Sequence, residues 1–236
     1  MKSSSTVERT PNEGGASIDA GGPAIRLRIT FAKTEAMRYT GHLDLYRAWE
    51  RTLRRAGLPL AYSQGYNPRP RIQIASALPL GFTSQHEVID AWLETDLVIS
   101  RVEEDLEKAV PPGITVLRVE EADLRGPALQ TQVISAEYRV TFLDRVEDLD
   151  ARLQDIREAE SLPRERRGKP YDLRSLIEEI ERTPEDELHR QCIHLRLTAQ
   201  EGATGRPEEV LLEMGLSPLR ARVERTHLIF QELPSS

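Results

Sequence analysis

YTGHLDLYRAWERTLRRAGLPLAYSQGYNPRPRIQIASALPLGF, residues 39–82, is the stretch whose reading decides the fold. Leu45, Trp49, Leu53 and Ala56 recur at near-helical spacing and form one apolar stripe, while Arg47, Arg51, Arg54 and Arg55 fall on a neighbouring face. The spacing predicts a helix that opens at Gly41 or His42 and carries Asp44 in its first turn, where the helix dipole favours an anion. Arg54 and Arg55 fill its last turn, and Gly57 with Pro59 beyond ends it. The following run, Ser63-Gln64-Gly65-Tyr66-Asn67-Pro68-Arg69-Pro70, holds a glycine free to take positive φ and two prolines that lack an amide donor, so it reads as a turn.

Charge makes this stretch distinctive. From Arg38 to Arg71 there are seven arginines, no lysine and two acids, Asp44 and Glu50, in a chain whose formal charge is −7. The overall acidity excludes a nonspecific polyanion binder, so any nucleic-acid contact has to be local. Tyr62 and Tyr66 interleave with Arg69 and Arg71, a combination that holds single-stranded nucleic acid by base stacking and phosphate pairing. The expected nucleic-acid surface therefore comprises Arg47, Arg51, Arg54, Arg55, Tyr62, Gln64, Tyr66, Asn67, Arg69 and Arg71. The competing reading is a solvated cationic helix face beside a rigid loop whose tyrosines cover a sheet edge.

Working outward, residues 1–24 are rich in Ser, Gly and Pro and read as a disordered tail, with no apolar leader and hence an expected cytoplasmic location. Ile25–Phe31 alternates as a half-buried strand. Leu58–Ser63 follows the helix, strands are expected at 71–77, 87–94 and 114–120, and a helix from Ser100 to Val110 has Ser100 and Glu103 as its capping box. The order β-α-β-β-α-β is that of a ferredoxin-like sandwich. After a boundary at 121–132 the order restarts: a strand at 136–143, a helix from 146 to 160 and an ambiguous segment at 171–180. A strand at 190–199, a helix opened by Pro207 and a last strand at 222–231 complete it. The fold class is thus α+β, two tandem ferredoxin-like (βαββαβ) sandwiches over residues 25–125 and 133–233. Within the second half, after its first helix, lies a basic loop with Arg164, Arg166, Arg167 and Lys169.

Several chemistries have no support. One cysteine, Cys192, excludes an internal disulfide and an iron–sulfur cluster, and it reads as a packed thiol. No glycine-rich phosphate loop occurs, no apolar run approaches a membrane span, and no cofactor is expected. The five histidines are scattered without metal-ligand spacing, so no metal is expected and His86 reads as a loop residue. His42 is the one candidate base, with Asp44 and Ser63 as weak partners for cleaving RNA at a ribose hydroxyl; a histidine capping the helix is the bland alternative.

The same stretch resembles the radical SAM-linked protein family, a bacterial domain of unknown function fused to, or encoded apart from, B12-binding-type radical SAM proteins. His42, Leu43 and Asp44 match its His-Leu-Asp motif, and Tyr62 through Pro68 with Pro70 match its Tyr-Ser-Gln-Gly-Tyr-Asn-Pro-x-Pro turn, while Gly41 stands where a serine is usual. Tyr171–Arg174 and Gly205–Leu211 look like its later landmarks. The resemblance implies a radical SAM protein as partner and a place in RNA metabolism, since family members lie beside genes for ribonuclease E/G and ribosomal proteins. Three functional readings result, the first two being an RNA-binding protein in RNA maturation or modification, as substrate-recognition module of a radical SAM enzyme, and a protein-interaction partner of that enzyme without RNA contact. A metal-independent RNA endonuclease is the third.

Overall fold

The computed structural model describes residues 22–231. The expected tail at 1–24 falls almost wholly outside them.

Residues 25–122 form β1 (Ile25–Lys33), α1 (His42–Arg55), β2 (Ile72–Ile74), β3 (Thr83–Leu93), α2 (Ile99–Ala109) and β4 (Ile114–Ala122). β1 pairs antiparallel with both β3 and β4, and β2 pairs antiparallel with the far side of β3, which gives the order β4-β1-β3-β2. Alternation explains why: Leu27, Ile29 and Phe31 of β1 and Ile89, Ala91 and Leu93 of β3 point to one face and are fully buried there. They pack against Leu45, Trp49 and Leu53 of α1 and Val102 and Leu106 of α2. Phe31 meets Trp49 edge to face, with ring centroids 4.7 Å apart.

The end of α1 is fixed by its sequence. Gly57 takes φ 71°, and the Leu58 and Gly57 amides donate to the carbonyls of Leu53 (3.2 Å) and Arg54 (3.1 Å), the paired bonds of a Schellman stop. α2 departs from expectation at its start. It opens at Ile99 after Val98, and no side chain caps it. The Glu103 carboxylate instead accepts from the Val119 amide of β4 at 3.2 Å, a tertiary partner that the capping pattern does not reveal.

The second half repeats the connectivity with β5 (Val133–Phe142), α3 (Leu149–Glu158), a two-strand hairpin of β6 (Pro163–Arg166) and β7 (Lys169–Asp172), β8 (Ile177–Thr183), β9 (Cys192–Gln200), β10 (Ala203–Thr204), α4 (Pro207–Glu213) and β11 (Ala221–Phe230). β5 lies between β11 and β9, and β8 flanks β9, all antiparallel, so the order β11-β5-β9-β8 matches that of the first half. The ambiguous 171–180 segment resolves into the end of β7, a short 3-10 turn at Arg174–Leu176 and the start of β8. Pro207 opens α4 as its first residue.

The architecture is mixed α+β on one sheet. Two separate sandwiches are not what forms: the first residues of β3 run parallel to β11, Thr83 beside Glu224 and Ser84 beside Arg225, joining all the strands except the β6–β7 hairpin into a single nine-stranded sheet. The second core also recruits Ala75, Leu78, Phe82 and Val88 from the first half, which pack with Tyr138, Val140, Leu195 and Val223. Cys192 is buried and free.

Candidate nucleic-acid interface

α1 is amphipathic in the way its sequence dictates. Leu45, Trp49, Thr52 and Leu53 are buried, and Thr52 satisfies its hydroxyl by donating to the Ala48 carbonyl at 2.9 Å. Arg47, Arg51, Arg54 and Arg55 are exposed. Arg47 lies 3.2 Å from Asp44 and Arg54 2.9 Å from Glu50, surface pairs one turn apart that contribute a few tenths of a kcal/mol, ~0.3–0.5 each. Among the described residues Arg51, Arg55 and Arg69 make no ion pair, so the face keeps an excess of positive charge.

The bend that follows is closed on itself and held against α1. Tyr62 bridges Pro70, the Ser63 amide donates to the Arg69 carbonyl at 2.8 Å, and the Arg69 amide donates to Ser63 Oγ at 3.0 Å. Gly65 sits at φ 144°, a conformation closed to most side chains. Gln64, Tyr66, Asn67 and Arg69 project into solvent, Tyr66 at 99% exposure. The bend's base is anchored by Tyr46, whose hydroxyl donates to the Pro70 carbonyl at 3.4 Å, and by Arg54 over the Tyr62 ring at 5.7 Å. Burial raises the Tyr46 phenol above its ordinary value, Glu50 adds to this and Arg69 opposes it.

Arg71 does not share this surface. Ile72 and Ile74 point into the core that holds α1, so alternation puts Arg71 and Gln73 on the other face of the sheet. There Arg71 stacks on Trp92 at 5.0 Å, Arg26 covers the same ring at 4.7 Å, and Gln73 accepts from the Leu129 amide at 2.9 Å. The basic loop is corrected too. Residues 163–172 form the β6–β7 hairpin, in which Arg164 pairs with Glu213 and Arg166 with Glu209 at 2.5 Å, so two acids of α4 neutralise half of its cations.

Among the described residues no hydrogen bond joins His42, Asp44 and Ser63 to one another. Asp44 is engaged by Arg47 and Ser63 Oγ by the Arg69 amide, while His42 Nδ1 is buried without a hydrogen-bond partner. Burial lowers the His42 pKa below its ordinary value; Glu87 opposes this and Arg225 reinforces it.

Those two residues belong to a buried polar cluster that sequence reasoning missed. Arg225 Nε donates to Glu87 Oε1 at 2.7 Å, and both side chains are sealed from solvent. Arg225 also donates to Ser76 Oγ, Ser76 O and Ala77 O. Burial disfavours its charge, but Glu87 more than offsets that and its pKa is raised. Beside it Lys33, fully buried, donates to the carbonyls of Phe82 (2.9 Å) and Arg38 (3.2 Å); burial brings its pKa down to about 8, with Glu87 opposing and Arg225 reinforcing. The signal was parity: Lys33, Glu87 and Arg225 occupy the core phase of alternating strands, where a charge needs a partner. Among the described residues no group of three or more His, Cys, Asp or Glu is arranged to hold a metal ion. No helix among them is long and apolar enough to cross a membrane.

The chain belongs to the family described as an uncharacterized protein conserved in bacteria (DUF2344), whose model matches residues 26–207. Among curated proteins none matches. Among solved structures it is similar to a chain of a Cbf5-Nop10-Gar1 complex, with TM-score 0.45, 13% identity and coverage of 90% of this chain and 54% of that one. A chain of the archaeal box H/ACA sRNP Nop10-Cbf5 complex gives TM-score 0.41 at 10% identity, covering 87% of this chain and 49% of that one. The protein thus spans about half the length of these neighbours, and likenesses of this strength fix neither fold nor function.

Proposed function

We propose that this protein binds RNA and acts in RNA maturation or modification in the cytoplasm, as the substrate-recognition module of a radical SAM enzyme. The observation that carries the reading is the surface of α1 and the bend. Arg51, Arg55 and Arg69 are exposed and unpaired among the described residues, beside the Arg54–Tyr62 stack and the projecting Tyr66, on a chain of net charge −7. Guanidinium groups next to exposed aromatic faces suit phosphates and unstacked bases. The radical SAM partner rests on the family resemblance of the His42–Asp44 and Tyr62–Pro70 motifs. The repeated strand order supports reading the two halves, 25–125 and 133–233, as tandem ferredoxin-like units merged edge to edge.

Reversal of Arg51, Arg55 and Arg69 to glutamate is expected to weaken binding of single-stranded RNA by roughly 10²-fold or more and to flatten its dependence on salt. Fluorescence anisotropy over a salt series measures both, and equal affinity of the variant rejects the reading.

A second reading has its own support. Tyr39, Leu43 and Leu80 are exposed near the start of α1, where Arg38 Nε donates to the Gly81 carbonyl at 2.8 Å and so draws the two loops together. Such a patch suits a protein partner, the enzyme itself. Copurification of a radical SAM protein after nuclease treatment, together with no affinity for RNA alone, would favour it over the first.

A further inference from the structure

The seam between the halves is narrow, with β3 and β11 sharing only two register pairs. On it two histidines far apart in sequence come together: the rings of His86 on β3 and His227 on β11 have centroids 5.7 Å apart and planes tilted by 31°. An imidazole ligates a metal through a ring nitrogen that carries no proton. His227 Nδ1 lies 3.4 Å from Glu137 Oε2. A carboxylate in this place can orient the ring, as outer carboxylates do for metal-ligating histidines. His86 Nδ1 is buried without a hydrogen-bond partner, so no internal bond at that nitrogen commits the ring to one tautomer.

We propose that His86 and His227 form an open two-imidazole site for a borderline divalent transition metal such as Zn²⁺, Ni²⁺ or Cu²⁺, with water completing the coordination and Glu137 orienting His227. Imidazole is a good ligand for these ions. Two protein ligands make a reversible site rather than a structural one. Its place gives it a consequence, because one ligand comes from each half and a bound ion clasps β3 to β11. An ion that binds the folded chain alone stabilises it by mass action. The site is independent of the arginine surface, so the two proposals fail separately.

The test titrates Ni²⁺ alone into the tag-free full-length chain at neutral pH by calorimetry, with thermal melts alongside. Saturation at one equivalent and an upward shift in melting temperature are expected. H86Q and H227Q should each lower the affinity at least about ten-fold, while H194Q, which alters a histidine away from the pair, should leave it unchanged. The His227 side chain is 58% exposed, so H227Q keeps the fold, and an unchanged metal-free melt verifies this. No saturable binding, binding that survives H227Q, or an equal loss in H194Q overturns the proposal.

Discussion

Lys33 shows how one buried charge writes itself into stability. Its folded pKa of about 8 lies below the unfolded value near 10.4, so between these limits the unfolded chain binds more protons than the native one. Stability attributable to Lys33 therefore rises with pH across that window, while below pH 8 the cost of the buried charge is fully present. The span is worth on the order of 3 kcal/mol. Denaturant melts from pH 7 to 10.5 should show this slope in the native sequence and its loss in Lys33→Met; parallel curves for the two proteins would refute the assignment. The same scale explains a misread residue. Arg71 follows the bend in sequence, yet the parity of β2 sends it through the sheet to Trp92, and only the pairing with β3 fixes that parity.

At the scale of elements, α1 was legible almost to the residue, because its stripe, its first-turn acid and its glycine stop are all local signals. Gly57 has open space where a Cβ would stand, so the cost of Gly57→Ala is that of left-handed backbone alone, about 1–2 kcal/mol. A thermal melt measures this, and an unchanged midpoint would show that the Schellman stop is unimportant to stability. The capping box at Ser100 and the basic loop failed for one shared reason. The partners that matter, the Val119 amide for Glu103 and Glu209 and Glu213 for the loop arginines, come from elements distant in sequence. Of the candidate site, α1 and the bend were readable, but their docking through Tyr46 and Arg54 was not.

For the molecule as a whole, Glu87 and Arg225 decide whether two halves behave as one. The pair sits at the seam, sealed from water, and ties β3 and the Ser76–Ala77 segment to β11. Removing one partner leaves an uncompensated buried charge, so Glu87→Ala should cost about 3–5 kcal/mol, whereas Glu87→Met with Arg225→Met should recover most of it. Urea melts of the single and double variants decide between these outcomes; equal losses in both would mean that the charges contribute net stability rather than mutual neutralisation. The shared core of Phe82 and Val88 with Tyr138 and Val223 adds apolar contact across the same seam.

The boundaries of α1 and the alternation of β1, β5, β9 and β11 were set by the sequence alone, since helical and strand periodicity, glycine stops and turn prolines act over a few neighbouring residues; the segment at 58–63 forms only isolated bridges, and the expected loop at 164–169 is the β6–β7 hairpin. Tertiary structure decided the merger of the halves into one sheet, the neutralisation of the basic hairpin, the burial of Lys33, Glu87 and Arg225, and the meeting of His86 with His227. These join residues tens to more than a hundred positions apart, and contacts at such separations depend on which strand edges meet, a choice that no local pattern encodes.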